Sequence, residues 1–167
     1  MRHFNFLIAA CLAAAAQLPA HAADSAEPGG PSESCIAAAL AAHPGIVTGW
    51  QRAGGGLQPL HVITVLDKEG KMAETTCDPA TLTLTAFKSK IGRYRFEMYE
   101  RATLAEEKAR VTAPAPFVGP VSFYSMQLSI GFAGKPVYTY KLSLPGGYMA
   151  TVDIDAVQGR MNKAVIE

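Results

Sequence analysis

Three stretches in the second half of the chain alternate apolar and polar residues with a period of two. Over "VSFYSMQLSI", Tyr124, Met126, Leu128 and Ile130 alternate with Phe123, Ser125, Gln127 and Ser129. Over "KPVYTYKLSL", Tyr138, Tyr140, Leu142 and Leu144 alternate with Thr139, Lys141 and Ser143. Over "YMATVDI", Tyr148, Ala150, Val152 and Ile154 alternate with Met149, Thr151, Asp153 and Asp155. Successive side chains leave a strand on opposite sides, so this is the pattern of a sheet with one face buried. The turns "GFAG" and "PGG" between the stretches predict an antiparallel meander. Ahead of it, "TLAEEKARV" predicts a helix opened by a capping box between Thr103 and Glu106.

The first half repeats this plan. "SESCIAAALAAHPG" is rich in Ala and places Ile36, Ala39, Leu40 and His43 at helical spacing, and Pro44 and Gly45 end it. "IVTGWQRA", "LQPLHVITVL" and "KMAETTC" follow as predicted strands, separated by Gly54–Gly56 and by "DKEG". Residues 61–78 align without a gap on residues 138–155, an offset of 77. Gly70 meets Gly147, Met72 meets Met149, Ala73 meets Ala150 and Asp78 meets Asp155. Cys77 falls where the second stretch has Ile154, which places it on the core side. Trp50, which shares strand parity with Ile46, and His61, which falls at Tyr138, are expected to pack inside. Between the halves, Phe87, Ile91, Tyr94 and Met98 have the spacing of a helix, which Gly92 weakens, and Tyr94, Phe96 and Met98 that of a strand; a connecting helix is the expectation.

The N-terminus alters the count of chemistry-bearing residues. Arg2, the apolar stretch from Phe4 to Leu18 and the small residues before Ala23 have the form of a secretory signal peptide. "IAAC" ending at Cys11 resembles a relaxed lipoprotein processing box, but cleavage there leaves an apolar run below the roughly 7–15 residues required. Losing residues 1–23 removes one of the 15 basic residues and none of the 14 acids, so net charge is near zero. With no basic run, nucleic acid and anionic membrane are poor partners. No further run is long and apolar enough to span a bilayer. Of the 3 cysteines, Cys35 and Cys77 remain, and an even pair in an oxidising compartment reads as a disulfide.

Chemistry is scarce. His43 and His61 remain after export, and no nucleophile motif, zinc motif, phosphate loop or dinucleotide fingerprint accompanies them. Asp153 and Asp155 lie on the solvated side of their strand, and Asp155 precedes a turn whose amides it can accept bonds from. No nearby acids bring the pair to a calcium-type ligand set. The reading is therefore non-catalytic, with no metal and no cofactor.

"TLAEEKA … GKPVYTYKLSLPGGYMATVDIDAVQGRMNKA" resembles the PepSY domain, with its "AEEA"-like helix start, "YxVxV" strand and final "VDAxTGxV", here "VDIDAVQGRM". "AALAAHPGIV … LHVITVLDKEGK … CDPATLTL" is similar in a more divergent form and lacks the turn glycine. The resemblance implies an α+β fold of two tandem modules, each a helix packed on an antiparallel sheet of three or more strands. The chain then divides into a signal peptide at 1–23, a flexible leader at 24–31, modules at 32–84 and 103–167, and a connector at 85–102. It also implies a periplasmic or secreted protein that binds and restrains a peptidase. The expected contacts are Phe123, Thr139, Lys141, Met149 and the Gly54–Gly56 loop. Inhibition of another hydrolase, in the manner of the β-lactamase inhibitor protein, and small-ligand or metal sensing in the envelope are the alternatives. Non-reducing mass spectrometry of the exported protein should find Cys35 linked to Cys77. Free thiol at both positions would remove the disulfide from the account.

Overall fold

The computed structural model describes residues 30–31, 33–54, 59–90 and 94–167. The expected signal peptide and nearly all of the leader lie outside them, as do Gly55 and Gly56. Helix α1 (Glu33–Ala42) is followed by β1 (Ile46–Ala53), β2 (Leu60–Leu66) and β3 (Met72–Asp78), then by short β4 (Thr83–Leu84) and β5 (Lys88–Lys90). After one-turn α2 (Phe96–Tyr99) and α3 (Glu106–Thr112) come β6 (Ser122–Ile130), β7 (Pro136–Ser143), β8 (Met149–Asp155) and β9 (Met161–Ile166). The fold is α+β, dominated by antiparallel sheet.

All nine strands form one sheet in the order β4-β3-β2-β1-β6-β7-β8-β9, with β5 also pairing on β3. The two meanders meet where β1 runs antiparallel to β6, with Trp50 opposite Met126. Directly opposed residues point to the same side of an antiparallel sheet. Trp50 pairs with Ile63 and Met126 pairs with Tyr140, so these four side chains share one face across the seam. Ile63, Val65, Tyr140, Leu142, Val152 and Ile154 on that face are fully buried and belong to a single apolar cluster. Each such side chain contributes roughly 1.5–3 kcal/mol by leaving water.

Both main helices cover the same face. Cys77 reaches up to Cys35 on α1, where the two are joined by a disulfide with a Cα–Cα distance of 5.9 Å. Its loop spans 42 residues, for which the chain-entropy model gives stabilisation of about 3–4 kcal/mol. On the other half, Tyr138 and Tyr140 of β7 donate hydrogen bonds to the carbonyl oxygens of Leu104 and Glu106 at 2.9 and 3.1 Å, anchoring α3. Trp50 and His61 are buried, and Arg110 of α3 lies over the Trp50 ring at 5.5 Å.

Four details differ from the pattern read in the chain. The register of β6 shifts between Phe123 and Ser125, a bulge that carries Phe123 inward and leaves Tyr124 exposed. Tyr148, expected inside, precedes β8 and is exposed. The expected capping box is absent: Ala105 is the N-cap, and the Glu106 carboxylate turns instead to Arg110 and Tyr140. The connector is not one helix, because β5 takes its first part into the sheet and α2 is a single turn. The pairing of Glu74 with Lys88, and the ion pair of Glu74 with Lys90 at 2.8 Å, outweigh the helical spacing of Phe87 and Tyr94.

The meanders correspond closely in their irregular positions. A bulge sits between Val47 and Gly49 in β1, and the other between Phe123 and Ser125 in β6. Gly70 and Gly147 both sit in the turn before the third strand with positive φ, 76° and 83°. Asp78 accepts the Ala80 amide as Asp155 accepts the Val157 amide. Leu82 stands 77 residues before Gly159 and adopts the same left-handed backbone, φ 53° against 71°. At Gly70, a Cβ would come within 2.3 Å of the Tyr94 carbonyl oxygen. Gly70→Ala should therefore cost more than about 2 kcal/mol in urea unfolding. Leu82→Gly should stabilise by up to about 1 kcal/mol, since relief of left-handed strain exceeds the added chain entropy.

Candidate functional site

The face away from the helices is polar, and the register shows why. One row across the strands runs Glu74, Thr64, Gly49, Gln127, Thr139, Asp153 and Lys163. The next runs Val62, Gln51, Ser125, Lys141 and Thr151. Because the meanders join edge to edge with their apolar sides aligned, their polar sides merge into one open surface. Thr139 and Lys141 lie on it; Thr139 donates to Asp153 Oδ1 at 2.7 Å and Lys141 is exposed. Met149 is half-buried at its margin. Phe123 is not part of it: the bulge turns the ring into the core, edge-to-face on Tyr140 at 5.7 Å. Of the glycine loop, only Gly54 falls among the described residues.

The connector borders this face. Tyr94 donates its amide to the Gly70 carbonyl oxygen at 2.9 Å, and Leu104 donates to Ala156 at 2.9 Å. The chain thus runs from the β2–β3 turn to the β8–β9 turn along one end of the sheet. Tyr94 and Tyr99 pack edge-to-face at 6.4 Å, and burial pushes the Tyr99 hydroxyl up, with Tyr94 adding to it. Between these tyrosines and the polar rows lies a cleft of about 260 Å³ over the β1–β6 seam. Gly49, with no side chain, lies in its floor, and the Glu74–Lys90 pair lines it. Sequence reasoning did not find this cleft. Its one local signal was a glycine inside a strand, which marks a bulge or a close approach.

A second depression lies at the opposite end, on the helix-bearing side. Phe117, Val118, Leu144, Pro145, Tyr148 and Ile166 line about 390 Å³. Val118 is 96% exposed, and Ile166 and Tyr148 are 60% and 59% exposed. Ile166 belongs to β9, the last strand of the sheet, whose far edge pairs with no strand among the described residues.

The ionisable groups beneath the helices are engaged in structure. Glu106 receives Arg110 through both carboxylate oxygens and the Tyr140 hydroxyl through Oε1. Burial pushes the Tyr138 hydroxyl up to about 12, and the Glu106 charge adds to it. Tyr140 is raised further, first by burial and then by Glu106, with Arg110 opposing. Asp155 accepts the amides of Gln158 and Val157, both at 2.8 Å, which lower its pKa. His43 stacks on Phe87 at 5.0 Å, with its Nε2 3.9 Å from Asp67. Among the described residues, no group of three His, Cys, Asp or Glu could hold a metal ion, and no helix is long and apolar enough to cross a membrane.

No protein-family model matches the chain. No curated protein matches it. Among solved structures it is similar to a putative lipoprotein from Clostridium difficile 630, at 11% identity and a TM-score of 0.47, over 72% of this chain and 82% of that one.

The tyrosine shifts set an alkaline limit. Above about pH 10 tyrosines of the unfolded chain ionise while Tyr138 and Tyr140 keep their protons. The folded state then binds more protons, so stability is complete below pH 10 and falls as pH rises toward about 12. Urea midpoints measured across this range should decline less steeply for Tyr138→Phe than for the parent protein.

Proposed function

We propose that this is an exported, non-catalytic module of the PepSY type, duplicated in tandem, which restrains a peptidase by surface contact. Support for the duplication comes from the matching bulges, turn glycines and Asp-capped turns, and from Leu82 adopting the backbone of Gly159. The buried Cys35–Cys77 disulfide supports an oxidising, extracytoplasmic setting, periplasmic or secreted.

The observation that carries the binding reading is the join of a strand edge, unpaired among the described residues, to an apolar depression. An edge strand presents unpaired N–H and C=O groups to an extended segment of another protein. Beside β9, the depression at Val118, Tyr148 and Ile166 gives such a segment a place for an aliphatic side chain. Contiguous exposed apolar surface of this kind marks interaction sites. The occupant is an extended loop of a partner peptidase, with affinity from its main chain and selectivity from one apolar residue. Lys141 and Thr139, both on β7 and two strands in from the β9 edge, belong to the polar face and would meet only the rim of such a partner.

The test is titration of the exported protein against a panel of exported metallopeptidases and β-lactamases. Inhibition of a peptidase at sub-micromolar concentration, weakened at least about tenfold by Val118→Glu or Ile166→Lys, is the expected result. Asp153→Asn should leave it unchanged. Opening the disulfide with Cys35→Ala and Cys77→Ala should weaken it in proportion to lost folded population. Inhibition confined to a β-lactamase would move the assignment to the hydrolase-inhibitor alternative. Turnover of a substrate by the protein itself would end the non-catalytic reading.

A further inference from the structure

The cleft over the seam is unused by the contact just described, and its chemistry is of a different kind. β1 is hydrogen-bonded to β2 on one side and β6 on the other, so its floor offers no strand edge. What it offers is side chains. Gln51 and Gln127 bring amides, and Thr64 and Ser125 bring hydroxyls. Thr48 also lines the cleft; it is 3% exposed, and its Oγ1 has no hydrogen-bond partner among the described residues. Glu74 and Lys90 are the ionised groups of the lining, and they neutralise each other at 2.8 Å. Tyr94 and Tyr99 close the side with aromatic surface.

We propose that this cleft binds a neutral, hydroxyl-rich ring: a hexose or N-acetylhexosamine unit. An amide donates and accepts at once, and so does a hydroxyl, so Gln51, Gln127 and the hydroxyl side chains match vicinal hydroxyls of a sugar. The C–H face of the ring packs on a tyrosine, whose body is apolar. A charged ligand would lose hydration opposite an ion pair already closed, with nothing to compensate it. An extended peptide would need unpaired main-chain groups, which a doubly paired strand lacks. The cleft's volume of about 260 Å³ is slightly below the roughly 300–1,000 Å³ of drug-sized ligand sites, which fits one ring and not a long oligomer. Gly49 matters here because a side chain at its place would occupy the floor.

This inference does not depend on the peptidase reading, since the two surfaces lie on opposite faces of the sheet, the cleft over the β1–β6 seam and the depression beside β9. The test is a titration of the isotope-labelled exported protein, followed by amide NMR. The probes are N-acetylglucosamine and glucose, set against glucuronate, glucosamine and tri-alanine. The expected result is saturable shifts at Gly49, Gln51, Ser125 and Gln127 with a neutral sugar, at millimolar affinity or tighter. Gln51→Ala combined with Gln127→Ala should weaken binding by about tenfold or more, the loss of one or two hydrogen bonds. Thr64→Val, which keeps the packing volume, should weaken it less, and Thr151→Ala on the same face outside the cleft should not change it. Absence of saturable shifts with both neutral sugars, tighter binding of a charged sugar or tri-alanine, or binding indifferent to the glutamine pair would each overturn the proposal.

Discussion

The antiparallel pairing of β1 with β6 is the interaction on which the rest of the molecule depends. A three-strand meander under one short helix has a thin core, and α1 buries only Cys35 and Ala39. Setting Trp50 opposite Met126 aligns the apolar sides of both meanders, so one cluster extends from Val65 to Ile154 beneath both helices. The same pairing removes two strand edges from solvent. It also places Arg110 of one half over Trp50 of the other, a contact neither half makes by itself.

A consequence is the division of labour between the faces. The disulfide, Tyr138 and Tyr140 lie beneath the helices, where their chemistry is spent on holding elements together. Tyr138 and Tyr140 each satisfy a carbonyl of the segment leading into α3, which is why burial can raise their pKa without leaving a hydroxyl unpaired. The opposite face carries Gln, Thr and Ser around the seam, flanked by Glu74 on one side and by Lys141, Asp153 and Lys163 on the other.

Irregularities in the strands do as much as the regular pattern. A bulge lets one strand present two residues against one, which re-aims a side chain. At Phe123 this turns a residue of the polar phase into the core, where it meets Tyr140. At Val47–Gly49 the corresponding bulge brings a glycine to the floor of the seam cleft. The connector takes its course from backbone contacts at the strand turns, Tyr94 to Gly70 and Leu104 to Ala156, and not from an apolar stripe of its own.

Local pattern was sufficient for much of this. The alternation over β6 to β8, the burial of Ala150, Val152 and Ile154, the cap made by Asp155 and the core side of Cys77 all follow from a period of two and from turn chemistry, which act between near neighbours in the chain. The helix over Glu33–Ala42 follows from Ala-rich composition and a Pro-Gly stop. What the chain does not encode locally is which edge meets which. The pairing of β1 with β6 joins residues such as Trp50 and Met126, far apart in sequence, and no periodicity within either strand specifies it. The bulge at Phe123, the turning of Glu106 from its own helix end to Arg110 and Tyr140, and the cleft lined by Gly49, Gln127 and Tyr99 were decided only when those distant elements packed. The reason is physical: alternation records which side of a strand is apolar, whereas a seam, a bulge and a cleft depend on the shape and hydrogen-bonding needs of whatever lies beside it.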